Sequence, residues 1–474
     1  MALGQAPVDA WYVTLLALAA LMYLAVRRAD AAGLAWIMWA GGVGYFGLAL
    51  SWIVQPFLVD AARDGWMAPF ALVLMAGGLS LFWALAGWAA GRLSVHPACR
   101  AMFLALTLTL VELARGYVAT GFPWAMIGHV WLETPVAQLA AYVGPAGLTA
   151  IACVIAALPV AAGRVGGVGS VAMIVAAFGA GQARLSQGDP PVRATTVRLV
   201  QPNAEQHLKW DAAQADLIFD RLLDMTAAEP APDLVIWPET SVPYQFEPGA
   251  SVAQAMSAAA RGAVIAAGVQ RVEGDRIFNS LAVLGEGGTV TARYDKAHLV
   301  PFGEYVPFGD QAWRWFGLRA FAAQQGFGYS AGLGATVLDL GPAIGLVQPI
   351  ICYEAVFPQD LRTAQRPDWI LQITNDAWFG TVSGPFQHLA QARLRAIEQG
   401  LPLVRVANTG VTGVIDARGR LVASLPFGSE GFLDAVIPGA LAQTPYARWG
   451  DGPILVLLIA ATWGFFGWSA RVKH

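Results

Sequence analysis

The stretch Ala343-Ile344-Gly345-Leu346-Val347-Gln348-Pro349-Ile350-Ile351-Cys352-Tyr353-Glu354 decides the fold. A largely apolar run stops at a small thiol, which an aromatic and a carboxylate follow at once. A buried strand that ends in a nucleophile at the edge of a sheet is how α/β enzymes present a reactive group. Two more strand-like runs end the same way. Leu234-Val235-Ile236-Trp237 breaks at Pro238 and delivers Glu239, and the run from Thr289 to Tyr294 leads into Asp295 and Lys296. Glu, Lys and Cys each stand just past an expected strand.

The surrounding polar segment alternates strands with helices. Strands are expected over 193–201, 234–237, 263–269, 279–284, 290–294, 344–351, 369–374, 403–407 and 413–416. Helices are expected over 212–228, with Asp211 as N-cap, and over 250–261 and 386–399. A layered α/β sandwich is the natural assembly of such a series, although spacing alone leaves its topology open.

Outside this segment the chain is built for lipid. Hydrophobic residues make up 56% of it and charged residues only 13%, a balance that an ordinary soluble domain does not have. The apolar surplus lies in runs near the roughly 20 residues that cross a bilayer core: 8–26, 34–54, 69–91, 102–118, 136–162, 168–183 and 454–469. If these alternate, Arg27, Arg28, Arg92, Arg100, Arg164, Arg471 and Lys473 fall on one side, which is then the cytoplasm. Three regions follow: about six spans over 1–188, an extracytoplasmic segment over 189–441, and a linker with a final span over 442–474. A cleaved signal peptide is the other reading of the first run, but no basic residue precedes it.

The three cysteines support a chemical role for one of them. Cys99 and Cys153 lie in or near expected spans, so Cys352 has no disulfide partner within the exported segment. A free thiol in an oxidising compartment is a liability unless it is used. The alternative is a small apolar core residue. A thiol is mostly protonated at neutral pH, so attack on a carbonyl needs a base or a nearby cation. Glu239 would take the proton, and Lys296 would face the developing oxyanion, helped by a backbone N–H near Cys352.

The order Glu, Lys, Cys resembles the nitrilase superfamily, and longer blocks narrow the match. Gln201-Pro202-Asn203 with Lys209-Trp210, Ile236 to Thr240, Lys296 with His298 to Pro307, Ile351 to Glu354, and Asn375 to Gly380 are similar to the apolipoprotein N-acyltransferase family. Glu112-Leu113-Ala114-Arg115-Gly116, Gly121-Phe122-Pro123-Trp124 and Thr444-Pro445-Tyr446-Ala447-Arg448 extend the resemblance into the apolar regions. The resemblance implies a polytopic helical membrane protein of the bacterial inner membrane, carrying a four-layered αββα nitrilase-like domain on the periplasmic face. It implies transfer of a fatty-acyl chain from a phospholipid, through a thioester on Cys352, to the α-amine of a diacylglyceryl-cysteine in an apolipoprotein. It assigns Glu239, Lys296 and Cys352 the roles derived above. Members of the family usually have eight spans, so a first helix is either lacking here or cut off by a late start.

Several other residues carry two readings. Glu304 matches a supporting acid of the family, or is a solvated loop carboxylate. Glu354 orients Lys296 or the incoming amine, or forms a structural ion pair. Tyr353 would position the thioester. Trp210 and Phe302 match aromatic positions associated with lipid entry, or are interfacial and core aromatics. Arg405 with Asn408-Thr409-Gly410 reads as scaffold. Glu112 and Arg115, three apart in an apolar helix, form an ion pair or meet a lipid headgroup. The region 321–332, rich in Gly, Ala and aromatics, suggests arms over the site. His298 and His388 show no metal-ligand spacing, no phosphate loop or nucleic-acid patch is present, and no cofactor is implied. A tethered carbon-nitrogen hydrolase would use the same triad, and a lipoprotein-binding module would not need it.

Overall fold

The computed structural model describes residues 1–94, 97–205, 212–244, 246–307 and 328–471. Lys209, Trp210, Asp211 and most of 321–332 therefore lie outside the described residues. The chain divides into two compact units. One comprises Met1–Gly188, Val382–Gln399 and Gln443–His474, and the other Asp189–Thr381 and Gly400–Ala442.

The first unit is helical. Its main elements are Trp11–Val26, Ala31–Ala49, Ala68–Leu93, Pro97–Arg115, Ala140–Leu185, Gly384–Gln399 and Gly452–Arg471. The fifth of these is one hydrogen-bonded run broken at Ala162 and Gly163, where the dihedrals leave the helical region. Its two arms occupy the expected spans 136–162 and 168–183. Among the described residues three stretches, Ala31–Ala49, Ala61–Leu93 and Pro135–Leu185, are long and apolar enough to cross a membrane by length and composition. Trp11–Val26 and Gly452–Gly467 are apolar but shorter. Leu16, Trp36, Val73, Leu74, Val171 and Trp463 are exposed on these helices, an outward apolar surface that suits lipid rather than water. Helix Ala31–Ala49 packs closely on Ala68–Leu93. At Gly87 a side chain would strike the Leu34 carbonyl, the small-residue approach that membrane helices use in place of a hydrophobic driving force.

Among its described residues the second unit holds two six-stranded sheets. The strands are β1 (Thr196–Gln201), β2 (Leu234–Ile236), β3 (Val264–Glu273), β4 (Arg276–Leu284), β5 (Val290–Asp295), β6 (Leu338–Asp339), β7 (Leu346–Ile351), β8 (Trp369–Thr374), β9 (Leu403–Ala407), β10 (Thr412–Ile415), β11 (Leu421–Leu425) and β12 (Gly431–Val436). One sheet runs β12-β1-β2-β3-β4-β5 and the other β11-β10-β9-β8-β7-β6. Contacts of β1 with β9 and of β4 with β7 put the sheets face to face. Helices Ala212–Ala227 and Ser251–Ala260 cover the first sheet, burying Ile218, Phe219, Leu222 and Met256 against Val235, Trp237 and Ile265. The α/β sandwich expected from the sequence is present.

Two features differ from expectation. Strands β6, β11 and β12 were not anticipated, because each borders its sheet and lacks a continuous apolar face. Asp434 in β12 stands directly opposite Arg198 in β1 and accepts from its guanidinium at 2.7 and 2.6 Å. A buried charge thus selects that pairing. Helix Gly384–Gln399 lies inside the expected contiguous segment 189–441 but groups with the helical unit. Polar contacts explain this. Gln387 Oε1 accepts the Trp124 indole N–H at 2.8 Å, and its Nε2 donates to the Ala49 carbonyl at 3.0 Å.

Candidate active site

Glu239 follows β2, Lys296 follows β5 and Cys352 follows β7, so all three sit beyond the carboxyl ends of their strands. Cys352 has φ +52°, in the left-handed region that non-glycine residues rarely enter and that concentrates at functional sites. It opens a short 3-10 turn, Cys352–Val356. On the Glu239 side, Gly268 admits the backbone of Pro238 and Glu239 so closely that any side chain there would collide with it.

The three side chains are brought together in a water-poor site: Cys352 is 4%, Glu239 6% and Lys296 1% exposed. Lys296 Nζ lies 2.9 Å from Glu304 Oε1 and 3.5 Å from Glu239 Oε1. Glu239 Oε2 accepts the Asn375 N–H at 2.8 Å, and Glu304 Oε2 accepts the Val300 N–H at 2.8 Å. Glu304 is therefore not a solvated loop acid but part of this cluster. Burial opposes the Lys296 ammonium, yet Glu304 and Glu239 outweigh it and hold its pKa above the usual lysine value. Burial, reinforced by Glu239, pushes the Cys352 thiol above its ordinary range, while Lys296 and a hydrogen bond with Thr374 pull the other way. On balance the thiol is held above its ordinary pKa.

A second ring of groups holds these in place. Asp376, which accepts from Thr374 Oγ1 at 3.1 Å, is paired with the buried Arg405 at 2.5 Å. Arg405 also donates to Gln372 Oε1 at 2.7 Å, and Gln372 Nε2 donates to the Cys352 carbonyl at 3.3 Å. The scaffold reading of Arg405 is what this geometry displays. Glu354 Oε1 accepts from the Tyr294 hydroxyl and from the N–H groups of Ala297 and His298. It acts on Lys296 through the backbone that follows it. Tyr353 is buried edge-on to Phe357 and His298, and Phe302 is 53% exposed with φ +63°.

Asn279, in β4, escaped the sequence reading. Its Nδ2 donates to Glu239 Oε1 at 2.7 Å and to Glu304 Oε1 at 3.1 Å. The signal was two adjacent polar residues, Asn279 and Ser280, leading directly into the apolar run Leu281 to Leu284. Their side chains alternate faces, and Ser280 donates to Asp295 instead. Among the described residues no group of three or more His, Cys, Asp or Glu is arranged to hold a metal.

Glu112 and Arg115, in the helical unit, form a buried ion pair at 2.9 Å. Trp83 donates to Glu112, and Arg115 donates to the carbonyls of Phe122 and Trp124. These contacts are those of the structural reading.

The unit with the two face-to-face sheets is a domain of the carbon-nitrogen hydrolase class, since residues 191–446 match the family model of that description. Residues 1–158 match the apolipoprotein N-acyltransferase N-terminal domain. The chain is 41% identical to an apolipoprotein N-acyltransferase of Caulobacter vibrioides, over 90% of this chain and 84% of that protein. It is 35% identical to one of Brucella melitensis, over 100% of this chain and 94% of that protein. Among solved structures, a CN-hydrolase superfamily protein from Xanthomonas campestris is similar at 22% identity and a TM-score of 0.39, over 53% of this chain and 91% of that one. The chain belongs to the apolipoprotein N-acyltransferase family.

Proposed function

We propose that this protein transfers a fatty-acyl chain from a phospholipid to the N-terminal α-amine of a diacylglyceryl-cysteine in an apolipoprotein, by way of a thioester on Cys352. Cys352 Sγ attacks the ester carbonyl carbon, and Glu239 takes the thiol proton. Lys296 balances the negative charge on the carbonyl oxygen. Collapse of the intermediate breaks the ester C–O bond, and Glu239 passes its proton to the departing lysophospholipid hydroxyl. The amine then attacks the thioester carbonyl, Glu239 takes a proton from its nitrogen, the C–S bond breaks, and that proton passes to the departing sulfur, so that an amide and a free thiol result. Losing one such oxyanion donor costs on the order of a hundredfold in rate or more.

One observation carries this reading. Lys296, itself buried, stands within reach of two carboxylates, beside the buried Cys352 thiol, in a chain with long apolar helices. Holding the reaction at a lipid surface makes physical sense, because drawing an acyl chain into water costs about 0.8 kcal/mol per CH₂. The exposed Phe302 suits contact with lipid. We place the second unit on the extracytoplasmic face from the distribution of basic residues, and membership of the family makes that the periplasmic face of the inner membrane.

The test is intact-mass analysis of purified protein incubated with phospholipid, comparing wild type with Cys352→Ala and then adding a diacylated lipopeptide. An acyl increment on wild type alone that discharges to the lipopeptide amine is the expected result. Discharge to water alone makes the protein a hydrolase. No adduct on folded protein removes the thioester step.

A further inference from the structure

We infer that Asn279 is a positioning residue that holds both site glutamates for proton transfer. This rests on the assignment of Glu239 as the base. Four atoms form a closed square: Lys296 Nζ and Asn279 Nδ2 at opposite corners, the Oε1 atoms of Glu239 and Glu304 at the others. One lysine faces two carboxylates. The amide N–H groups supply the further positive character that keeps those oxygens together. Each glutamate's second oxygen is held by a backbone N–H, from Asn375 and from Val300, so Asn279 completes the fixation of both.

The orientation of the amide follows from its surroundings, since a carbonyl turned toward two carboxylates would be repelled. Asn279 Oδ1 is buried without a hydrogen-bond partner, a cost to folding. The hydrogen bonds that the side chain makes are those of its donors. Its backbone adds to the effect: the Asn279 carbonyl accepts the Lys296 N–H at 2.9 Å, which fixes the lysine in register with the amide.

The test compares Asn279→Asp and Asn279→Leu with wild type in the full-length purified protein. One arm follows alkylation of Cys352 by iodoacetamide against pH, with no acyl donor present. The other follows single-turnover acylation from phospholipid vesicles, normalised to the fraction of chains that react, so that only folded molecules count. Asn279→Asp keeps the shape but sets an acceptor beside two carboxylates, and its acylation is expected to fall about a hundredfold. Asn279→Leu is expected to fall about tenfold, with the acid limb of its rate profile moved to higher pH, because losing a donor disfavours an ionised carboxylate.

A packing role predicts the reverse order, with Asn279→Asp close to wild type and Asn279→Leu impaired equally at every pH. That result would overturn the inference. If wild type itself forms no acyl adduct, the transfer reading fails. The alkylation arm still decides on Asn279, which is supported if both variants change the pH dependence of thiol reactivity and overturned if neither does.

Discussion

Glu354 Oε2 accepts the backbone N–H of Ile351 at 2.7 Å, and so grips the chain immediately before Cys352. Its other oxygen accepts from Tyr294 at 2.7 Å, Ala297 at 2.8 Å and His298 at 3.1 Å. One carboxylate ties the end of β7 to the segment that carries Lys296. In Glu354→Gln an NH₂ group meets these donors. Acylation should drop about a hundredfold, and stability by about 1–3 kcal/mol, read by intact mass and thermal unfolding. Wild-type acylation in this variant would show that the grip is dispensable.

The Cys352 thiol, raised by burial and by Glu239, should behave as a thiol across the neutral range. Its alkylation rate is expected to climb continuously with pH into the alkaline region. A rate that is flat from about pH 6 to 8 would reveal a preformed thiolate, of the kind a depressed pKa produces, and would remove the need for a base.

Lys296 is held above its usual pKa against desolvation by Glu304 and Glu239. The sign follows. Its charge is fully present below the ordinary lysine value of about 10.4 and is lost only as pH rises through the higher folded value. In Glu304→Gln one supporting charge goes and desolvation counts for more. The alkaline limb of acylation should move to lower pH, and the rate at neutral pH should fall. An unmoved alkaline limb would separate Glu304 from the lysine.

Gln387 bridges Trp124 and Ala49 within the helical unit. Gln387→Leu leaves a buried indole N–H and a helix-terminal carbonyl without it, at an expected cost of about 1–3 kcal/mol. Thermal unfolding in detergent is the measurement. Trp124→Phe combined with Gln387→Leu should cost less than the sum of the single changes, because the pair shares one bond. Strict additivity would show that the bond contributes nothing.

Much of the second unit was legible because strands announce themselves locally. Short apolar runs placed β2 and β7, and the strand-like run Thr289 to Tyr294 placed β5, and with them the positions of Glu239, Lys296 and Cys352 at strand ends. Cys352 stood out because the residues around it are apolar. Glu304 was harder to weigh, since a Gly-Glu-Tyr turn looks the same whether its carboxylate meets water or a lysine. Glu354 was read as a partner for a cation or an amine, whereas it accepts three backbone N–H groups and a hydroxyl. Backbone donors leave no mark in a sequence.

The sequence by itself determined the membrane-like helices, the alternation of strands and helices, and which residues end the strands, because each depends on neighbours a few positions away. Only the tertiary structure decided that Asn279 joins Glu239 across 40 positions, that Asp434 meets Arg198 across 236, and that helix Gly384–Gln399 joins the helical unit. The reason is physical. Burying apolar surface follows a period that the chain spells out, while the compensation of a buried polar group or charge depends on which distant donors and acceptors the fold brings within hydrogen-bond distance of it.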